Sequence, residues 1–167
     1  MRVRHSNKDD VEYIMMFIHQ AQNYFKEQGI DQWQDGYPDD KRIYDDIDLG
    51  HSYVLEDNNV LGTMYFALED DPCYKKIYDG EWLTNNSYAV IHRIVIDHSL
   101  KGQNLASILL NYVIDECKNR NVSSIRIDTH EDNLSMQKFL NNNDFKLCGH
   151  IFLESGAKRL AFEKLIT

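Results

Sequence analysis

The sequence predicts a mixed α/β fold, and three observations carry that prediction. Apolar residues recur at three-and-four spacing in separate stretches, short β-rich runs lie between them, and one strand-helix-strand unit occupies about residues 89 to 129. A strand-helix-strand unit pairs its strands in parallel with a right-handed crossover, whereas hairpins pair antiparallel. The sheet is therefore mixed and mostly antiparallel. The 167 residues suit one domain, 1–167, and a 43% hydrophobic composition is enough for a sizeable core. Two prolines and eight glycines are scattered with no linker-like cluster or repeat, which supports one continuous fold.

Each element has a local reason. A short first strand covers Arg2 to Arg4. Ser6 and Asn7 then offer helix caps, with Asp9 and Asp10 in the first turn. Val11, Ile14, Met15, Ile18 and Phe25 continue a helix that Gly29 can close. Residues Gly29 to Pro38 read as a loop carrying Trp33 and Tyr37, and Asp39 to Leu49 as a short acidic helix. Ser52 to Glu56 and Val60 to Leu68 flank the Asn58-Asn59 turn as a hairpin. A long polar and aromatic connection from Glu69 to Tyr88 comes next, of a length that is usually functional or locally ordered. Ala89 to Asp97 is a strand, Leu105 to Cys117 a helix, Val122 to Thr129 a strand and Leu134 to Leu140 a helix. Phe145 to Leu153 and Leu160 to Leu165 close the fold as a hairpin around Gly156.

Charge narrows the partners. Eighteen Lys+Arg against 27 Asp+Glu leave a net charge of −9, which repels phosphate backbones and anionic lipid, so no nucleic-acid or membrane partner is expected and a cationic substrate is favoured. Cys73, Cys117 and Cys148 are odd in number and never spaced as CxxC, so neither a disulfide framework nor a zinc site is expected, and no metal. The polar start and the absence of a run of ~20 apolar residues fit a reducing, cytoplasmic compartment. A monomer or homodimer is expected.

The most informative stretch runs from Ile94, Val95 and Ile96 through Asp97-His98-Ser99-Leu100 to Lys101-Gly102-Gln103-Asn104-Leu105-Ala106-Ser107. An apolar strand empties into a loop of small residues that opens a helix. Unpaired N–H groups at a helix start, with the positive dipole end behind them, can hold a pyrophosphate. Gly102 lacks a Cβ, Asn104 tolerates left-handed angles and Ala106 is small. A generic strand-to-helix turn is the alternative, and a Rossmann site is excluded because there is no GxGxxG.

That spacing resembles the acetyl-CoA loop of the GNAT superfamily of N-acetyltransferases, whose usual pattern is Q/R-x-x-G-x-G/A. The segment Ile125 to Asn133 resembles the family's next strand with its terminal Asn, and Met136 to Phe145 the helix and turn after it. The resemblance covers about residues 50 to 165. The run Ile77 to Leu83 followed by His92-Arg93-Ile94 is similar to a subgroup of small bacterial members whose acceptor is unassigned. There are departures. Lys101 stands where Gln or Arg is usual, Asn104 replaces the middle Gly, and Asp144 replaces a Gly before Phe145. Leu140 occupies a position where many members carry a Tyr that protonates the departing thiolate.

The resemblance implies a parallel splayed strand pair with flanking helices, with acetyl-CoA lying between the strands at 89 to 97 and 122 to 129. It implies direct acetyl transfer to a primary amine in a ternary complex. Ile94, Val95 and Ile96 would hold the pantetheine and thioester, and Lys101, Gly102, Gln103, Asn104, Leu105, Ala106 and Ser107 the pyrophosphate. Asn133 would contact cofactor or cap the following helix. An alkyl ammonium with a pKa near ~10 must lose a proton before attack. Asp128, His92 and His130 are the candidate bases, with Glu131 behind them. Each also has an ordinary structural reading. Trp33, Tyr78, Glu81 and Trp82 would border an acceptor pocket, the acceptor being a small-molecule or peptide amine, with aromatic walls suited to a cation. A catalytically degenerate member that binds acyl-CoA as a sensor or interaction module is the other reading.

Overall fold

The computed structural model describes residues Met1–Thr167. Seven strands and four α-helices alternate in the order β1 (Arg2–His5), α1 (Val11–Glu27), α2 (Asp40–Asp48), β2 (Ser52–Asp57), β3 (Asn59–Ala67), β4 (Ala89–Ile96), α3 (Leu105–Asn119), β5 (Ser124–Thr129), α4 (Leu134–Asn142), β6 (Lys146–Phe152) and β7 (Lys158–Leu165). The sheet order is β1-β2-β3-β4-β5-β7-β6. Only β4 and β5 pair in parallel, at Ala89↔Ile125 and Val90↔Arg126, while β1–β2, β2–β3, β5–β7 and β6–β7 are antiparallel. This is the mixed, mostly antiparallel sheet that the hairpins and the single crossover unit require.

The chain forms two compact units. One comprises Met1–Phe66 and His92–Val113, the other Ala67–Ile91 and Ile114–Thr167. In the first, Val11, Ile14 and Ile18 of α1 meet Ile43 of α2 and Val54 of β2, with Met15, Trp33, Ile47 and Val60 packed against them. The start of α1 differs in detail from the expectation. Asn7 caps a short 3-10 turn at Lys8–Asp10 that leads into the helix, through a capping box with Asp10. Ser6 is buried instead, accepting from the Ser52 hydroxyl at 2.8 Å. Asp10 is also held by both terminal nitrogens of Arg4, at 2.8 and 2.9 Å. Burial raises its carboxyl, but the Arg4 hydrogen bond, the Asn7 N–H and the Arg4 charge outweigh that and hold it below the usual value.

In the second unit the long connection 69–88 is ordered by three devices. Pro72–Tyr74 forms a 3-10 turn capped by Asp71. Tyr78 bridges to His150 of β6 through reciprocal backbone hydrogen bonds of 2.9 Å. At Gly80 a Cβ would lie 1.8 Å from the Cys148 carbonyl oxygen, so only glycine lets the connection approach β6 this closely.

Candidate functional site

Within the first unit, β4 leads into the loop and helix that the sequence singled out. Ile94, Val95 and Ile96 are half-buried, an unusual state for three consecutive aliphatic residues in a strand. Strand β3 approaches them so closely that a Cβ on Gly62 would lie 2.5 Å from Ile96 Cδ1. One residue before Ile94, Arg93 has φ +49, a left-handed angle inside an extended strand.

After β4 the chain turns under the control of Asp97. Its N–H donates to Leu61 O at 2.9 Å, and its Oδ1 accepts from the N–H and hydroxyl of Ser99, each at 3.1 Å. Gln20 of α1 ties the turn down, since its amide nitrogen donates to Asp97 Oδ1 at 3.3 Å and its oxygen accepts from the His98 N–H at 2.9 Å. The Lys101 ammonium sits 3.8 Å from the centroid of the Tyr24 ring, a cation–π contact to the same helix. Gly102 has φ +84 and Asn104 φ +59, so both left-handed positions fall on residues that suit them. No atom lies within 4 Å of where a Cβ of Gly102 would stand, leaving open space beside the backbone there. Asn104 Oδ1 accepts from the Ser107 hydroxyl at 2.8 Å, and buried Leu105 roots α3. Gln103 and Ala106 complete the turn, and the opening amides of such a helix lack intrahelical partners.

His92 is half-buried with its ring 5.6 Å from Tyr65, whose hydroxyl meets His51 Nδ1 at 3.0 Å. Arg93 pairs with buried Asp46 of α2, lies 4.7 Å over the Tyr65 ring and donates to the Tyr37 hydroxyl. Desolvation raises the Asp46 carboxyl above its usual value, against the pull of the Arg93 charge. Trp33 packs edge-on against Phe25 at 5.8 Å and against the α1–α2 core. Its indole thus serves packing, while neighbouring Tyr37 is exposed.

Within the second unit, Asp128 near the end of β5 accepts a 2.7 Å hydrogen bond on Oδ2 from the Tyr74 hydroxyl. Tyr74 is only 1% exposed, and burial followed by the Asp128 charge raises its phenol well above 10. It remains a donor across the neutral range. One Asp128 oxygen is thereby fixed in place, the arrangement a positioned base needs. His130 lies two residues further on, but its Nδ1 accepts from the Asp132 N–H at 3.0 Å. Asn133 is buried and caps α4, its Oδ1 accepting from the Met136 N–H at 3.2 Å. Glu131 is exposed beside Lys158 at 3.6 Å.

Trp82 donates from Nε1 to the Tyr74 carbonyl at 2.9 Å and stacks under Arg126 at 4.2 Å. Arg126 and fully buried Glu163 form a 2.9 Å ion pair, and Glu163 also takes the Ser124 hydroxyl and, at 2.6 Å, the Leu83 N–H. The half-buried indole thus links this polar frame to Tyr74. Tyr78 stacks on His150 at 5.5 Å and meets Phe152 edge-on at 5.2 Å, whereas Glu81 is exposed. Leu140 is fully buried. Burial raises all three thiols, Cys117 to about 11, so none is poised as a nucleophile. No three His, Cys, Asp or Glu side chains are grouped to hold a metal ion, and no helix is long and apolar enough to cross a membrane.

The structure thus joins Ile94 to Ser107 in one strand-loop-helix and holds Asp128 by the Tyr74 hydroxyl, with Trp82 behind Tyr74. Trp33 packs against Phe25 and the α1–α2 core, and Asn133 caps α4. The sequence assigns no role to Gln20, Asp46 or Tyr74, and Arg93 enters only within the run His92-Arg93-Ile94. A lone Arg after His92 in an apolar strand was the one available signal among them.

This architecture is that of an acyl-CoA N-acyltransferase fold, and comparison with known proteins gives the family. The Acetyltransferase (GNAT) family pattern matches residues 18–145, and the chain belongs to that family. A GNAT-family acetyltransferase from Streptococcus agalactiae is 34% identical, covering 98% of this chain and 94% of its own, with a TM-score of 0.89. A GNAT-family acetyltransferase from Listeria monocytogenes is 20% identical over 98% of this chain and 94% of its own, TM-score 0.74. The Salmonella typhimurium protein yncA, solved with its cofactor acetyl-CoA, is 14% identical over 100% of this chain and 94% of its own, TM-score 0.70. At the last two identities the likeness is one of fold alone. No curated protein matches the chain.

Proposed function

We propose that this protein transfers an acetyl group from acetyl-CoA to a primary amine. The observation that carries the reading is the β4–loop–α3 segment, with left-handed Gly102 and Asn104, open space at Gly102 and half-buried Ile94–Ile96. Those features suit a pyrophosphate held by amides of Gly102 to Ser107 and a pantetheine along Ile94 to Ile96. Acetyl-CoA supplies an activated thioester.

The chain's own groups do the rest. Asp128, fixed by Tyr74, takes a proton from the acceptor ammonium, directly or through water. The freed amine lone pair forms the new C–N bond as the C–S bond breaks, the nitrogen then releases its second proton to solvent to give the neutral amide, and solvent returns a proton to the thiolate because Leu140 offers none. His92 is the second candidate base, since it lies in the cofactor strand β4 two residues before Ile94. A cationic small-molecule or peptide amine is the acceptor that a net charge of −9 and exposed Glu81 favour.

Free CoA thiol release, measured over a broad amine panel at two salt concentrations, tests this. Release with cationic amines that weakens with salt is expected. Saturable acetyl-CoA binding with no release under any acceptor would instead support the sensor module. An anionic best acceptor would overturn the charge reading.

A further inference from the structure

We infer that Asp46, on α2, is a positioning residue for the cofactor strand: through Arg93 it holds the left-handed backbone angle that directs the main chain of Ile94–Ile96. The inference rests on the reading that this strand holds acetyl-CoA.

The starting point is conformational. Arg93 has φ +49 in the middle of β4, an angle disfavoured for any residue with a Cβ and at odds with the pleat on either side. Such a residue persists only where its surroundings over-determine it. A left-handed residue in a strand also re-aims the chain beyond it, as a bulge does. Here the re-aimed residues are Ile94, Val95 and Ile96.

The surroundings are sufficient to fix it. Asp46 Oδ2 accepts from Arg93 Nε at 3.0 Å and pairs with Nη2 at 2.8 Å. Nη1 donates to the Tyr37 hydroxyl, and the guanidinium lies 4.7 Å over the Tyr65 ring. Every nitrogen of the fork has a partner and one of its faces is stacked, so the side chain has one arrangement available.

Stability alone does not account for the pair. Asp46 is 2% exposed and its Oδ1 has no hydrogen-bond partner. A buried carboxylate with one oxygen unsatisfied is a poor stabilising device, and buried ion pairs in general are weak evidence for stability. Its use is geometric. The acid anchors the guanidinium, and the guanidinium anchors a backbone angle that the sequence would not adopt unaided.

Glycine separates this role from a merely structural one, because it adopts left-handed angles without a clamp. Acetyl-CoA affinity is measured by calorimetry for the full chain and for Asp46→Asn, Arg93→Ala, Arg93→Gly and the double variant Asp46→Asn/Arg93→Gly. Arg93→Ala should bind about tenfold more weakly, the equilibrium equivalent of one residue's left-handed strain. Asp46→Asn should weaken binding in the same direction. Arg93→Gly and the double variant should both stay within about threefold of the parent, so that glycine rescues the loss of Asp46. Equal affinities for Arg93→Ala and Arg93→Gly, or no rescue in the double variant, would overturn the inference. Backbone 13C shifts of residues 93–96 without ligand give an independent readout: Asp46→Asn should move Arg93 away from the left-handed region, and unchanged shifts would count against the clamp. If the parent protein fails to bind acetyl-CoA, the functional reading falls while the shifts still decide the clamp.

Discussion

Between Asp97 and Ser107 the chain presents backbone, whereas at Asp128 it presents a side chain held by another side chain. The first region is built from residues that keep out of the way, with Gly102 and Asn104 in left-handed angles and open space beside Gly102. Its supports, Gln20 and Tyr24, approach from α1 and grip Asp97, His98 and Lys101. The second is built from a side-chain hydrogen bond, Tyr74 donating to Asp128, with Trp82 and the buried Arg126–Glu163 pair beside Tyr74. Under the proposed function, the difference is that a surface meant to hold phosphate needs conformational permissiveness, while a group meant to move a proton needs a fixed partner.

Substitutions that act on one region and spare the other sharpen this contrast. The largest effect is expected at Asp128→Asn, which should lower turnover by about 10²–10⁴ with acetyl-CoA affinity unchanged, as steady-state rates and calorimetry can show. A parallel loss of cofactor affinity would break the division of labour. Tyr74→Phe leaves an Asp128 oxygen without its buried donor and should destabilise the protein by about 1–3 kcal/mol, read from denaturant midpoints. It should also change the alkaline limb. A phenol raised above 10 in the folded state contributes stability that is whole below the unfolded value and lost as pH rises toward the folded one. The parent should therefore lose stability above about pH 10 and Tyr74→Phe should lose less.

Gly102→Val is next in size. A β-branched residue at φ +84 is strained although nothing crowds it, so acetyl-CoA affinity should fall by about tenfold while the fold persists in circular dichroism. The smallest effect is expected at Lys101→Ala. Its ammonium lies on Tyr24, and the loss in acetyl-CoA affinity should be roughly 1 kcal/mol or below.

The same contrast explains what the sequence made legible. Gly102, Asn104 and Ala106 act through their own local conformations, so their pattern in the chain already carried the loop, and left-handed Asn104 is as the sequence suggests. The elements were legible for the same reason, since helical spacing and alternation are local. Tyr74 and Asp128 are 54 positions apart, and Leu83 and Glu163 are 80 apart, so their meeting depends on the packed fold. Asp46 was hidden differently. It sits in an acidic helix that reads as a solvated face, yet its side chain is turned inward to Arg93. Asn133 shows the converse, a residue whose helix-cap reading was open from the start and is the one its side chain adopts. Trp82 reads as a pocket wall because it is aromatic and lies in a loop, and the contacts of its indole nitrogen with Tyr74 and of its ring with Arg126 depend on the packed fold.

The central claim is that backbone groups from Ile94 to Ser107 hold acetyl-CoA. Titrating isotopically labelled protein with acetyl-CoA and following backbone amide shifts tests it most directly. The largest saturable shifts should fall on Ile94–Ile96 and Gly102–Ser107, and Gly102→Val should require more ligand to reach them. Saturable binding that leaves those amides unmoved would contradict the claim, as would the absence of any shift at millimolar acetyl-CoA, a concentration that probes even weak affinities.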